Sequence, residues 1–351
     1  MNKTHLAFLE ELTQEIAPAG QEFKVQKIFK TFVKPFCDDL IVTKLHSVIA
    51  HKKGNSKVKI MFSGHADEIS MLVKHIDSNG FIYTAAMGGI DTILLPGQRL
   101  WIHHGDSKVL GVVGRKPEHL LKDKNSEIKL SDLWIDIGVD SKEEAEKLVS
   151  LGDVVTWDGS FHIFDENHII SKAMDNRIGV YIVARILEEL VNENLDADIF
   201  GLSSTQEEVG ARGAKTAISY INPDIVVALD VTFASDHPGM DEIENGDIKL
   251  GKGPALTIGS RVNHNLKNLI KEIAESYNIP LQYEIYPRNT GTDLDVLQET
   301  GSGAAGLLLS IPCRYMHSPN EMISFSDLEN TVKLLTEFCK RVKDISIIGE
   351  I

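Results

Sequence analysis

The feature that most constrains this chain is a set of short apolar runs, separated by helical patterns, that each lead into an acidic residue or a histidine. Val58-Lys59-Ile60-Met61-Phe62, Ile199 to Leu202, Ile225 to Leu229 and Ala305 to Ile311 each suit a buried strand and are too short for a helix. Around them, apolar residues recur at helical spacing. Leu6, Leu9, Leu12 and Ile16 form one stripe, stopped by Pro18-Ala19-Gly20. Val25, Ile28, Phe29, Phe32 and Val33 form a second, ended by Pro35. Ile178, Ile182, Ile186, Leu187 and Leu190 mark a third, and Leu266 to Tyr277 and Leu328 to Val342 two more. Such alternation predicts an α/β fold: a mixed, largely parallel sheet flanked by helices. From about residue 69 to 165 the texture changes. Short pieces such as Gly80-Phe81-Ile82-Tyr83, Gly97 to Ile102 and Val109 to Val113 alternate with turns, with one helix-like segment from Ser141 to Leu151. That predicts a small β-rich domain, 69–165, inserted into a discontinuous domain of residues 1–68 and 166–351.

The polar residues after these strands carry the chemistry. His65, Asp67 and Glu68 follow the first strand, Glu207 and Glu208 the second, Asp230 comes straight after Leu229, and His317 follows the last; Asp175 precedes a helix. Ligands of open α/β sheets bind beyond the carboxyl ends of the strands, so these groups are expected to converge on one crevice. Taken singly, Asp175 reads as a helix N-cap and Asp230 and His317 as turn residues. Their joint placement points elsewhere. Crowded carboxylates repel unless protonated or neutralised by a cation. Carboxylates with two imidazoles and no thiolate suit Zn²⁺, Co²⁺ or Mn²⁺. With so many donors, two ions sharing one carboxylate fit, at the ~3.5–4 Å separation of two-metal sites, with a spare carboxylate as general base.

Composition removes other classes. The formal charge of −15 and the lack of a Lys/Arg stripe exclude a nucleic-acid partner. No stretch approaches the ~20 apolar residues of a membrane span, and the first residues have no apolar core of a signal peptide. Cys37, Cys313 and Cys339 are three and scattered, which suits reduced thiols and a cytoplasmic protein.

Five ordered motifs resemble the M42 family of metallo-aminopeptidases, which includes tetrahedral dodecameric peptidases and glutamyl aminopeptidases. They are Gly64-His65-Ala66-Asp67-Glu68, Ala173-Met174-Asp175-Asn176-Arg177, Gln206 to Ala214, Ala228-Leu229-Asp230 and Arg314-Tyr315-Met316-His317-Ser318-Pro319. The resemblance implies a phosphorylase/hydrolase-like α/β unit of zinc-peptidase type, residues 1–68 and 166–351, with a PDZ-like dimerisation domain at 69–165. It implies two divalent ions per subunit, Zn²⁺ or Co²⁺ first and Mn²⁺ next. His65 and Asp230 would hold one, Glu208 and His317 the other, and Asp175 would bridge them. Glu207 would be the general base, and Asp67 would orient His65 through its second ring nitrogen. The substrates implied are short peptides cleaved at their N-termini, and the assembly a homo-oligomer, up to a dodecamer built from dimers. Ser70 and Ile90 depart from the family's glycine and aromatic, which bears on loop shape near the pocket and not on the donors.

Two alternatives fit less well. A glycosidase needs two carboxyls flanking one bond and leaves His65 and His317 without a role. A non-catalytic metal-binding scaffold leaves Glu207 without one. Arg288 reads as a surface residue rather than an anchor for an acidic side chain.

Overall fold

The computed structural model describes residues 2–120 and 127–349. Nine α-helices punctuate the described chain: α1 (Lys3–Gln14), α2 (Phe23–Val33), α3 (Lys142–Ala145), α4 (Met174–Glu189), α5 (Arg212–Ile221), α6 (Glu242–Asn245), α7 (His264–Ser276), α8 (Asp293–Glu299) and α9 (Phe325–Arg341). The strands before α4 are β1 (Asp39–Val42), β2 (Val48–Lys52), β3 (Lys59–His65), β4 (Ser70–Ile76), β5 (Ile82–Met87), β6 (Arg99–His104), β7 (Ser107–Arg115), β8 (Leu133–Asp136), β9 (Val154–Trp157), β10 (His162–Ile163) and β11 (His168–Ser171). Those after it are β12 (Asp198–Ser204), β13 (Ile225–Phe233), β14 (Ala255–Gly259), β15 (Gln282–Tyr286), β16 (Ala305–Arg314) and β17 (Glu321–Ser324).

Among the described residues eleven strands form one mixed sheet in the order β1-β2-β12-β3-β13-β16-β17-β11-β10, with β14 against β16 and β15 outside it. Its centre, β12-β3-β13-β16, is parallel. These strands are near-continuous apolar runs because helices cover both faces. One face packs on α1, α2, α4, α7 and α9, the other on α5 and α8. From β12 the chain crosses over β3 to reach β13, which opens a crevice at the carboxyl ends of these strands.

Helix α4 lies centrally, buried on nearly every side from Met174 to Leu187. It rests on β3 glycine to glycine: a Cβ on Gly64 would sit 2.3 Å from the Gly179 carbonyl carbon, so no larger side chain fits there. Helix α1 is started by the Asn2 side chain, which accepts the Thr4 amide.

Between β3 and β10 the chain forms a closed six-stranded barrel, β4-β5-β8-β7-β6-β9, with its own core of Met71, Val73, Ile82, Leu100, Ile102, Val113, Ile135 and Trp157. The helix expected over Ser141 to Leu151 is only the single turn of α3, capped by Ser141; Gly152, in the left-handed region, then turns the chain towards β9. Asp230 does not end its strand as the sequence reading had it: β13 continues to Phe233, because β16 pairs with it along the full length. Among the described residues no helix is long and apolar enough to cross a membrane, and all three cysteines are free.

Candidate metal centre

His65 is the last residue of β3, Asp230 projects from β13, Glu207 and Glu208 lie just past β12, His317 lies just past β16, and Asp175 sits where the chain enters α4. The crevice brings all six together. The two Asp175 oxygens face the two imidazoles, Oδ1 at 3.1 Å from His65 Nε2 and Oδ2 at 3.1 Å from His317 Nε2. Glu207 Oε2 lies 3.8 Å from His65 Nε2, and Glu208 Oε1 lies 3.7 Å from His317 Nε2. Donor atoms of His65, Asp175 and Asp230 lie within 4.8 Å of one another, as do those of Asp175, Glu208 and His317. The two groups share Asp175.

Local backbone makes this possible. Asp175 is no helix cap: it and Asn176 have non-helical dihedrals, their peptide bond is cis, and Asn176 donates to the Leu229 carbonyl at 2.7 Å, beside Asp230. Ala173, Gln206, Ala211, Tyr315 and His317, all in the loops carrying donors, occupy the left-handed region that non-glycine residues rarely adopt. Gly213 packs so closely that a Cβ would meet the Thr205 backbone at 2.4 Å, which permits the turn after Glu208. The barrel reaches the same place. A Cβ on Gly89 would lie 2.8 Å from His317 Nδ1, and one on Gly88 would lie 3.1 Å from Glu208 Oε2. Ile90 packs against the barrel core.

Asp67 is buried beside His65, its Oδ1 at 3.4 Å from Nδ1. Its shorter contacts are with the Glu207 and Glu208 amides, which donate to Oδ1 and Oδ2 at 2.9 and 3.0 Å. Glu68 was expected in the crevice and is not there. It turns the other way into a buried ion cluster, 2.7 Å from Lys172 Nζ and 3.2 Å from Arg177 Nη2. Arg288 is exposed.

Three further carboxylates belong to the site. Glu321 accepts the amides of Asp175 at 3.0 Å and His317 at 2.8 Å, joining two donor loops. Asp293 accepts the hydroxyls of Ser63 and Ser204, each at 2.6 Å. Glu22 accepts the Gln206 amide at 2.9 Å. Of these only Glu321 carried a sequence signal, standing four residues beyond His317.

Charge is concentrated here. Burial pushes Glu207 up to about 10, against the pull of His65 and with Asp230, Asp293 and Glu208 adding to the rise. Glu208 is raised to about 7 by burial and by Asp175, and Asp230 is raised by burial against His65. The Asp175 hydrogen bond lifts His317 to about 9 against burial. Burial also opposes charge on His65 and Asp175; their mutual contact, with Asp67 and His317, outweighs it, raising the imidazole and lowering the carboxyl. Buried carboxylates that repel one another this strongly are suited to a divalent cation, and oxygen and imidazole donors without sulfur fit Zn²⁺, Co²⁺ or Mn²⁺.

The model of the family described as M42 glutamyl aminopeptidase matches residues 46–334. This chain belongs to that family, and it is a peptidase, an aminopeptidase by class. It is 35% identical over 323 residues to the lysyl aminopeptidase of Pyrococcus furiosus, covering 91% of this chain and 92% of that one. The TET aminopeptidase of a marine-sediment Thaumarchaeota archaeon superposes with a TM-score of 0.93, at 31% identity and 98% coverage of both chains. The TET1 peptidase of Pyrococcus horikoshii, which can assemble into a tetrahedron or a large octahedral shell, gives 0.85 at 29% identity, covering 96% of this chain and 100% of that one. Membership sets aside the glycosidase and the non-catalytic scaffold.

Proposed function

We propose that the chain is a two-metal aminopeptidase acting on short peptides. His65, Asp175 and Asp230 would hold one divalent ion, Asp175, Glu208 and His317 would hold the other, and Glu207 is the general base. The observation that carries this reading is the pair of donor groups sharing Asp175, whose two oxygens face different imidazoles at equal distance. When bound, such ions polarise the scissile carbonyl and lower the pKa of the attacking water. The Glu207 carboxylate takes a proton from that water as its oxygen attacks the carbonyl carbon. It then returns the proton to the nitrogen that leaves when the C–N bond breaks. Glu321 and Asp67 fix the donor loops from behind, and the surrounding carboxylates suit the positive α-amino group of a peptide N-terminus. Zn²⁺ and Co²⁺ are the ions the donor set favours, with Mn²⁺ next.

Exhaustive chelation is expected to abolish hydrolysis of aminoacyl substrates, and Co²⁺ or Zn²⁺ to restore it, while N-acetylated peptides stay uncut throughout. Full activity in a chain shown metal-free by elemental analysis, or equal cleavage of acetylated peptides, sinks the reading.

We also take the barrel, the core of segment 69–165, as contributing contacts to a homo-oligomer. Its exposed Ile93, Leu120 and Leu151 and the shells formed by the Pyrococcus horikoshii relative support this. Light scattering is expected to give a multiple of the subunit mass; a monomer at working concentration contradicts it.

A further inference from the structure

The amides of Gln206, Glu207 and Glu208 are consecutive, and all three donate to buried carboxylates. Asp67 takes the second and third; Glu22 Oε1 takes the first, at 2.9 Å. The same Glu22 oxygen accepts the Gly20 amide at 2.8 Å, tying the loop before α2 to the turn after β12. Glu22 stands at the N-cap position of α2 and makes no capping bond to that helix, so the ordinary duty of a helix-start carboxylate does not account for it. Yet it is only 2% exposed. One turn further along α2, Gln26 donates to the Ser203 carbonyl at 3.0 Å, so this helix start grips the chain on both sides of Ser204 and Thr205. Gln206 has φ +58°, a conformation that a residue with a side chain keeps only where its surroundings hold it. The direction in which Glu207 leaves the backbone depends on that dihedral.

We propose that Glu22 is a positioning residue for Glu207: it holds the Gln206 amide so that, with Asp67, it fixes the turn that points the Glu207 carboxylate into the crevice. This rests on Glu207 being the general base. Glu22 touches neither substrate nor ion; it acts through one backbone amide, to which its carboxyl oxygen is the acceptor.

The test uses the full-length, metal-loaded enzyme. A reactive group displaced by 1 Å can lose about 100-fold in rate, so Glu22→Ala is expected to lose at least about tenfold in kcat, with KM little changed and metal content at the wild-type level. Glu22→Gln keeps a carbonyl oxygen for the amide and is expected to restore most of the rate. Hydrogen exchange at residues 204–208 should quicken in Glu22→Ala and stay slow in Glu22→Gln. In a Glu207→Gln background, Glu22→Ala is expected to cost nothing more, as for groups acting in one chain of cause. Wild-type kcat in Glu22→Ala, loss of metal, or the same fold-loss in both backgrounds overturns the role of Glu22 and leaves the general base standing. Wild-type kcat in Glu207→Gln instead overturns the general-base reading itself. Should Glu22→Ala fail to assemble, Glu22→Asp keeps the carboxyl group and withdraws its oxygen by one methylene. A fall in kcat is expected there, and an unchanged kcat overturns the proposal.

Discussion

Replacing Glu207 with Gln is expected to cut kcat by at least about 100-fold, the lower end of what general-base help supplies, with metal content unchanged. The amide keeps the shape of the side chain and cannot take the proton. Glu208 is its chemical twin and neighbour, yet belongs with Asp175 and His317 rather than with His65. Glu208→Gln should therefore lose an ion or bind it far more loosely, and excess Co²⁺ should restore part of its rate. No amount of Co²⁺ should help Glu207→Gln. Metal stoichiometry and kcat for both variants, each with and without added Co²⁺, decide the matter. Metal loss in Glu207→Gln alongside full occupancy in Glu208→Gln would reverse the two roles.

The second large effect is on stability. Glu68→Gln is expected to destabilise the fold by about 3–5 kcal/mol, the usual result of removing one partner from a buried ion cluster. That is a large share of the roughly 5–15 kcal/mol that holds a typical domain folded. Glu68, Lys172 and Arg177 are all buried, and Glu68 is the carboxylate that both cations contact. Burial opposes its charge, and Lys172 and Arg177 overcome it, holding its carboxyl below the ordinary range. Arg177 also donates to the carbonyls of Leu12 and Glu15 at the end of α1, so losing Glu68 loosens α1 from α4 as well. The exposed pair of Lys53 and Asp39 is the control: Asp39→Asn should hardly move the unfolding midpoint. Equal midpoints for Glu68→Gln and the parent chain in denaturant would count against this account.

The convergence of the candidate donors is legible in the sequence because each sits in or next to a strand or helix recognisable from its own neighbours. His65 ends a strand, Glu207, Glu208 and His317 follow strands, and Asp175 precedes the repeating apolar face of α4. Glu68 was misread for a reason the strand itself supplies. In extended chain successive side chains point to opposite sides, so if His65 and Asp67 face the crevice, Glu68 faces away from it. Two of the supporting carboxylates, Glu22 and Asp293, give no such signal. Glu22 and Asp293 are ordinary residues at helix starts, and their function comes from partners 184 and 230 residues away. Helical spacing over Ser141 to Leu151 overstates α3, because a pattern of acidic and apolar residues satisfies that spacing even where only one turn forms. The alternation of the barrel strands was visible; their closure into a ring depends on pairings such as β4 with β9, far apart in the chain.

The order in which the chain threads the crevice also sets a timetable. His65 and Asp175 meet across 110 residues, with the whole barrel spooled out between them, and His317 arrives after every other donor. A ribosome releases residues in sequence, and early segments fold first. The nascent chain therefore carries an incomplete set of candidate donors until β16 and the turn after it have emerged. Until then Asp175 can meet His65 but not His317, and its second oxygen has no imidazole to face.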